Sequence, residues 1–329
     1  MKSFIIQIIL LQMIFPLSGQ TFKVSGIVAD SETGQGLPYA NIMVFSYSIG
    51  TTSDKNGNFE LTLDDSLKNE TLVFSFVGYN SVKMSISRVG PMPVLLVPQQ
   101  YEIGEVIIKP AKRKEKPLIL NKFREQDCML RYSISPFDSI GQLHIPYRPK
   151  EPTIETMYFP YNSDYEEKNR IKEVWLNVSN FKLSQSIFRL RIFDAKEDKS
   201  PGNDLLTTPL DIEVIGKTQV VKVNVEEYNI FIQQQGMFIG FELLIIPDNM
   251  QTIENDLGNR AIVYSPFLRQ IRTEEIGEYW IYTKGVWIES KYWYFKKGIW
   301  FMSDDKNIKE KNTTEAIMFK PAISLLLID

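Results

Sequence analysis

Residues 279–301 hold ten aromatic side chains, Tyr279, Trp280, Tyr282, Trp287, Tyr292, Trp293, Tyr294, Phe295, Trp300 and Phe301, including four of the five tryptophans in the chain. Sugars present apolar C–H faces that stack on exposed rings, while their hydroxyls need polar partners. Glu278, Lys284, Glu289 and Lys291 stand nearby to offer them. Read as one strand, 287–295 places Trp287, Trp293 and Phe295 on one face and Tyr292 and Tyr294 on the other. One face can be core while the other is wet, and tyrosines, with a hydroxyl to satisfy, suit the wet one. The candidate ligand-binding residues are therefore Tyr292, Tyr294, Trp287 and Trp293. The competing reading is that the same rings fill a sandwich core.

Other chemistry is largely excluded by residue type. The chain has one histidine, His144, so it cannot hold a catalytic zinc through two histidines and a glutamate. The same histidine would have to serve any Ser-His-Asp or Cys-His device, and no nucleophile-elbow motif accompanies it. The single cysteine, Cys128, excludes an internal disulfide framework and reads as a buried thiol. Asp54-Lys-Asn-Gly57 resembles the start of a calcium loop, but the closing glutamate position holds Asp65, so a turn is expected. Asn69-Glu-Thr71 matches a glycosylation acceptor, a three-residue pattern that is discounted here. No metal and no cofactor is expected. Forty acidic residues leave room for a hydrolytic carboxylate pair that no motif singles out.

These groups must be positioned by a chain of 329 residues, enough for two domains with cores of their own. Hydrophobic residues at 43% and charged residues at 23% describe a globular protein. The formal net charge of −3 falls to −4 when a leader containing only Lys2 is removed, too mild for a nucleic-acid partner. Phe4 to Leu17 is an apolar run interrupted by Gln7 and Gln12 and followed by Ser18 and Gly19. It is shorter than the roughly 20 residues that span a membrane and fits the core of a signal peptide, residues 1–20. Export to the periplasm, the outer-membrane periphery or the cell surface is expected, with no transmembrane segment after the leader is removed.

Residues 21–98 break into short alternating segments with turn residues about every eight to twelve positions, the pattern of a β-sandwich. Strands are expected at 22–28, 41–45, 49–52, 58–63, 71–77, 83–86 and 94–97. Asp54 to Gly57 reads as the tight turn of a hairpin. In the fifth strand Leu72, Phe74 and Phe76 share one face, which should be core, while Thr71, Ser75 and the two valines share the other. A register slip there would lose several side chains worth about 1.5–3 kcal/mol each. Val24-Ser-Gly-Ile-Val-Ala-Asp30, Thr33-Gly-Gln-Gly-Leu-Pro-Tyr-Ala-Asn-Ile42, Gly50-Thr-Thr-Ser-Asp54 and Thr71 to Tyr79 together resemble the carboxypeptidase-regulatory-like domain. That resemblance implies a seven-stranded, transthyretin-like sandwich at the amino end of an exported bacterial envelope protein, itself noncatalytic in the enzymes that carry it.

Residues 99–127 read as an extended segment and charged linker, 109–117 being dense in charge and bracketed by prolines. One or two helical turns are expected in 118–127. From 128 to 329 the pattern is β again, with strands at 171–178, 187–193, 220–225 and 237–246 and a sharp turn at Ser200-Pro-Gly-Asn203. Their order, closed by Pro321 to Leu327, is similar to galactose-binding-like jelly rolls of exported bacterial proteins. The reading is thus all-β: a transthyretin-like sandwich followed by a larger jelly-roll-like sandwich. Its function reads as noncatalytic binding or structure in the cell envelope, with an envelope protein or a glycan as partner. The alternatives are a carbohydrate-binding accessory protein acting through the jelly roll and a hydrolase with an unrecognised carboxylate pair.

Overall fold

The computed structural model describes residues 20–99, 116–129, 151–254, 260–273, 280–283, 286–289, 292–296, 299–303 and 317–329. The leader and His144 lie outside these. The amino-terminal sandwich consists of β1 (Thr21–Asp30), β2 (Asn41–Val44), β3 (Gly50–Thr52), β4 (Asn58–Asp64), β5 (Thr71–Ser75), β6 (Val82–Ser85) and β7 (Val94–Leu96). Its sheets run β4-β1-β7 and β3-β2-β5-β6, and every strand lies within two residues of the expected bounds. Alternation does the work. In β4 the residues Phe59, Leu61 and Leu63 are buried while Asn58, Glu60, Thr62 and Asp64 face solvent. Phe59 meets Phe74 edge-on at 5.6 Å, among Leu72, Phe76, Ile42 and Val44.

Two expectations change here. The Asp54–Gly57 turn forms, but it does not join a hairpin: β3 pairs with β2 and β4 with β1, so the turn carries the chain between opposite sheets. Asp54 Oδ1 accepts from the backbone N–H of Asn56 and Asn58 at 2.8 and 2.9 Å, which uses the carboxylate for turn geometry. Gly57 sits at φ +83, where a Cβ would lie 2.5 Å from the Val28 carbonyl oxygen. The second change concerns β5. The face opposite Leu72 and Phe74 is not wet: Val73 is 1% exposed, and Val77, just beyond the strand, is fully buried.

The larger sandwich stacks two sheets. One runs Pro201–Asp204, Gln185–Ala195, Met237–Leu243, Thr153–Phe159, Trp280–Thr283, Val286–Glu289, with Leu210–Ile215 also paired to Gln185–Ala195. The other runs Thr218–Asn224, Arg170–Ser179, Ile323–Ile328, Leu118–Leu120, with Phe267–Leu268 beside Arg170–Ser179. Between them Val174, Leu176, Leu190, Ile192, Ile239, Ile323 and Leu325 form the core, with Phe188 stacked on Phe241 at 4.9 Å. The four expected strands are all present. In 118–127 one helical turn forms, at Glu125–Asp127 and of 3-10 type, while Leu118–Leu120, read as part of the linker, is a strand paired to Ile323–Ile328. Three apolar residues in a row found a sheet edge to cover. The turn expected at 200–203 lies earlier, closed by Lys199 N–H to the Lys196 carbonyl, and Pro201 already begins a strand. Among the described residues no helix is long and apolar enough to cross a membrane.

Candidate functional site

The outer face of the seven-stranded sheet carries side chains that its alternation forces away from the core: Arg189 and Arg191 on Gln185–Ala195, and Phe238 and Glu242 on Met237–Leu243. Arg189 and Glu242 are paired across the two strands. Both are fully buried, because the amino-terminal sandwich sits on this half of the face.

On the larger sheet the contact rests on a charge network, which uncharged polar groups of the amino-terminal sandwich meet. Arg189 grips Asp211 in a two-pronged pair at 2.6 and 3.2 Å and donates to the main-chain oxygens of Tyr39 at 3.0 Å and Pro38 at 3.3 Å. Arg191 pairs with Asp204 at 2.5 Å and with Glu242 at 2.7 Å, and Asn41 donates to the second Glu242 oxygen at 2.5 Å. The Arg189 guanidinium also lies 4.9 Å from the Phe76 ring centre. Around this the Ile245 N–H donates to Thr52 Oγ1 at 3.0 Å, and Gln99 reaches Asn203 at 3.2 Å. Val77 packs into the core of the larger sandwich. Gly78, at φ +76, meets Thr207 so closely that a Cβ would lie 2.4 Å from its carbonyl oxygen.

The seam carboxyls answer to different forces. Burial alone would raise Glu242, but Arg191 and Arg189 outweigh it and hold the carboxyl below its ordinary value. For Asp204 burial wins over Arg191 and pushes the carboxyl up. Burial would lower the Arg191 guanidinium, yet Asp204 and Glu242 hold it charged. These three groups pair with one another within the seven-stranded sheet, and the bonds that cross to the amino-terminal sandwich are those of Asn41 to Glu242 and of Arg189 to the Tyr39 and Pro38 oxygens.

Beyond the seam the face becomes aromatic. Trp287 stands edge-on to Phe193 at 5.1 Å and to Tyr282 at 5.2 Å, and Tyr158 packs on Phe238 at 5.0 Å with its hydroxyl donating to the Gln235 carbonyl at 2.7 Å. Burial pushes the Tyr282 hydroxyl up, and Ser75 of β5 hydrogen-bonds it. Ala195 and Gln235 connect this cluster to an open depression of about 590 Å³ whose polar lining includes Asp194, Lys196, Asp198 and Asn203. Asp194 accepts from the Asn203 N–H at 2.6 Å over Gly202, which has no room for a side chain.

Of the candidate ligand residues, Trp287 is half-buried in this cluster. Tyr292, Trp293 and Tyr294 belong to another strand, Tyr292–Lys296, in a sheet with Ile299–Ser303 and Ile317–Pro321, and their side chains lie outside the described residues. The four therefore do not share one strand. The strand ends at Glu289, and face parity does not carry across the break. Cys128 is 4% exposed and its thiol is pushed up to about 11 by burial, the state of a packing residue. Among the described residues no group of three or more His, Cys, Asp or Glu is placed to hold a metal. The seam residues escaped the sequence reading, although Arg189 and Arg191 alternate with Phe188, Leu190 and Ile192 in a single run.

Residues 24–108 match the model of the CarboxypepD_reg-like domain family, and the amino-terminal sandwich is a carboxypeptidase-regulatory-like domain. A 92-residue stretch is 34% identical to TonB-dependent receptor P3 of Formosa agariphila. It covers 28% of this chain and 9% of that receptor, so the likeness concerns one domain of a much longer protein. A crystal structure from Bacteroides fragilis, of a candidate membrane-associated protein of unknown function, aligns over 94% of this chain and 98% of its own at 11% identity, with a TM-score of 0.20.

Proposed function

We propose that this is an exported, noncatalytic binding or structural component of the bacterial cell envelope, in which the regulatory-like domain is a fixed part of a larger body. The observation that supports this reading is the seam, where Arg189 donates to the Tyr39 and Pro38 oxygens, Asn41 donates to Glu242 and the Ile245 N–H donates to Thr52, each bond running between the two sandwiches. The domain shared with a TonB-dependent receptor supports the envelope setting. Fractionation of the native cells tests it. The protein is expected in the envelope or periplasmic fraction with an amino terminus near Gln20 or Thr21 by mass spectrometry, and an intact Met1 in the cytosol would overturn it.

A second reading, glycan binding, draws support from the aromatic half-face and the polar depression beside it. Rings at Trp287 and Tyr158 flanked by carboxylates, an ammonium and amides offer what a saccharide needs. Trp287→Ala is expected to weaken binding to a responsive member of a panel of neutral oligosaccharides by about 1–3 kcal/mol with little change in melting. A loss of about 3–5 kcal/mol of folding free energy, with no oligosaccharide bound by the wild type, would mark the ring as core and remove this reading. The same pair of measurements on Tyr292→Ala and Tyr294→Ala assigns the other strand.

A further inference from the structure

We infer that the regulatory-like domain is held by recognition and not by its tether, so that the seam is a specific interaction surface with a definable partner. On one side it presents two main-chain oxygens in succession (Pro38 and Tyr39), the Asn41 carboxamide, the Thr52 hydroxyl and the Phe76 ring. The partner that fits is an antiparallel sheet face with two arginines two residues apart on one strand and a glutamate on the next. The register makes this pattern readable. Arg189 stands opposite Glu242, and Arg191 stands opposite Gly240, where a Cβ would lie 3.0 Å from that of Arg191. Arginine next to an empty position can extend along the sheet to Glu242, whose other oxygen is then left for Asn41.

Main-chain oxygens and a carboxamide carry no charge, so the bonds across the seam act only at hydrogen-bond range and geometry. The guanidinium of Arg189 has donors left over after Asp211, and burial without the Pro38 and Tyr39 oxygens would strand them. The same holds for the Ile245 N–H without Thr52. The face is therefore satisfied only by a surface with acceptors at these places, which is how a buried polar interface selects its partner. An apolar anchor, Val77, and a close approach at Gly78 fix the distance.

The test uses the full mature chain with a site-specific protease sequence inserted between Lys114 and Glu115. After cleavage the two fragments are expected to migrate as one species in size-exclusion chromatography and native mass spectrometry, and to stay together on dilution to the micromolar range. Separation of the fragments, folded or not, would overturn the inference. In the cleaved protein Thr52→Val is expected to raise the dissociation constant at least tenfold, while Thr52→Ser, which keeps the oxygen, restores tight association. Equal affinities for Val and Ser at this position would show an apolar contact without polar recognition and would equally overturn it.

Discussion

Arg191→Ala is expected to lower folding stability by about 3–5 kcal/mol, the cost of removing one partner from a buried ion pair. Asp204 and Glu242 would stay in a site closed to water, Asp204 with only the Leu206 N–H and Glu242 with Asn41 and an Arg189 nitrogen 4.0 Å away. Urea unfolding of wild type and variant measures it, and a loss below about 1 kcal/mol would show that water reaches the seam. Replacing Arg191, Asp204 and Glu242 together by apolar residues of similar size should recover most of the loss, since the large term is the stranded charge and not the lost attraction. The two carboxyls also titrate in opposite senses. Glu242, held low, contributes stability that is present above its ordinary pKa and lost as the pH falls through its lowered value. Asp204, held high, contributes stability that is present below its ordinary pKa and lost as the pH rises through its raised value.

Phe74→Ala is expected to cost about 3–5 kcal/mol, the range for deleting a buried aromatic ring. Phe74 is fully buried, stands edge-on to Phe59 and sits at the centre of the strand order β3-β2-β5-β6 opposite Ile42. The surrounding side chains belong to strands held at both ends by ladders, so the cavity has little freedom to collapse. Thermal unfolding followed by circular dichroism measures the change. A variant that melts within a degree or two of wild type would mean that the core refills and the ring is not the keystone its burial implies.

Phe74 also shows what could be read from residue order alone. Leu72, Phe74 and Phe76 announced a core face through period-two alternation, and all three are buried. The strands of the first sandwich were legible for the same reason, each being bounded by turn residues and half-buried against one core. The opposite face of β5 was not legible. Val73 and Val77 look like the tolerated apolar residues of a solvated surface, yet both are buried, Val77 in the core of the larger sandwich. Arg189 and Arg191 failed in the mirror sense: two charges on one face of a strand read as solvent-facing until a second domain covers them. Pairing shows the same limit at the Asp54–Gly57 turn, because turn chemistry states that the chain reverses and does not state which sheet receives it. Trp287 and Tyr292 were grouped through sequence proximity, while the sheets to which their strands belong were decided by partners far along the chain.

The strand Ile323–Ile328 lies between Arg170–Ser179 and Leu118–Leu120, with Ile171 beside Leu327 and Leu118 beside it on the other side. A chain emerging amino end first therefore exposes the apolar flanks of Arg170–Ser179 until about 150 further residues follow, and those of Leu118–Leu120 until about 200 do. Pairing at such separation is slow, since the entropy of closing the loop is lost before any contact rewards it. The arginines of Gln185–Ala195 likewise precede Glu242, so early in synthesis the seam has donors and no acceptor at that place. Assembly thus has a direction in time: the first sandwich can close on local contacts while the second waits, and during that interval the nascent second half is the part most exposed to aggregation and most in need of a holding chaperone.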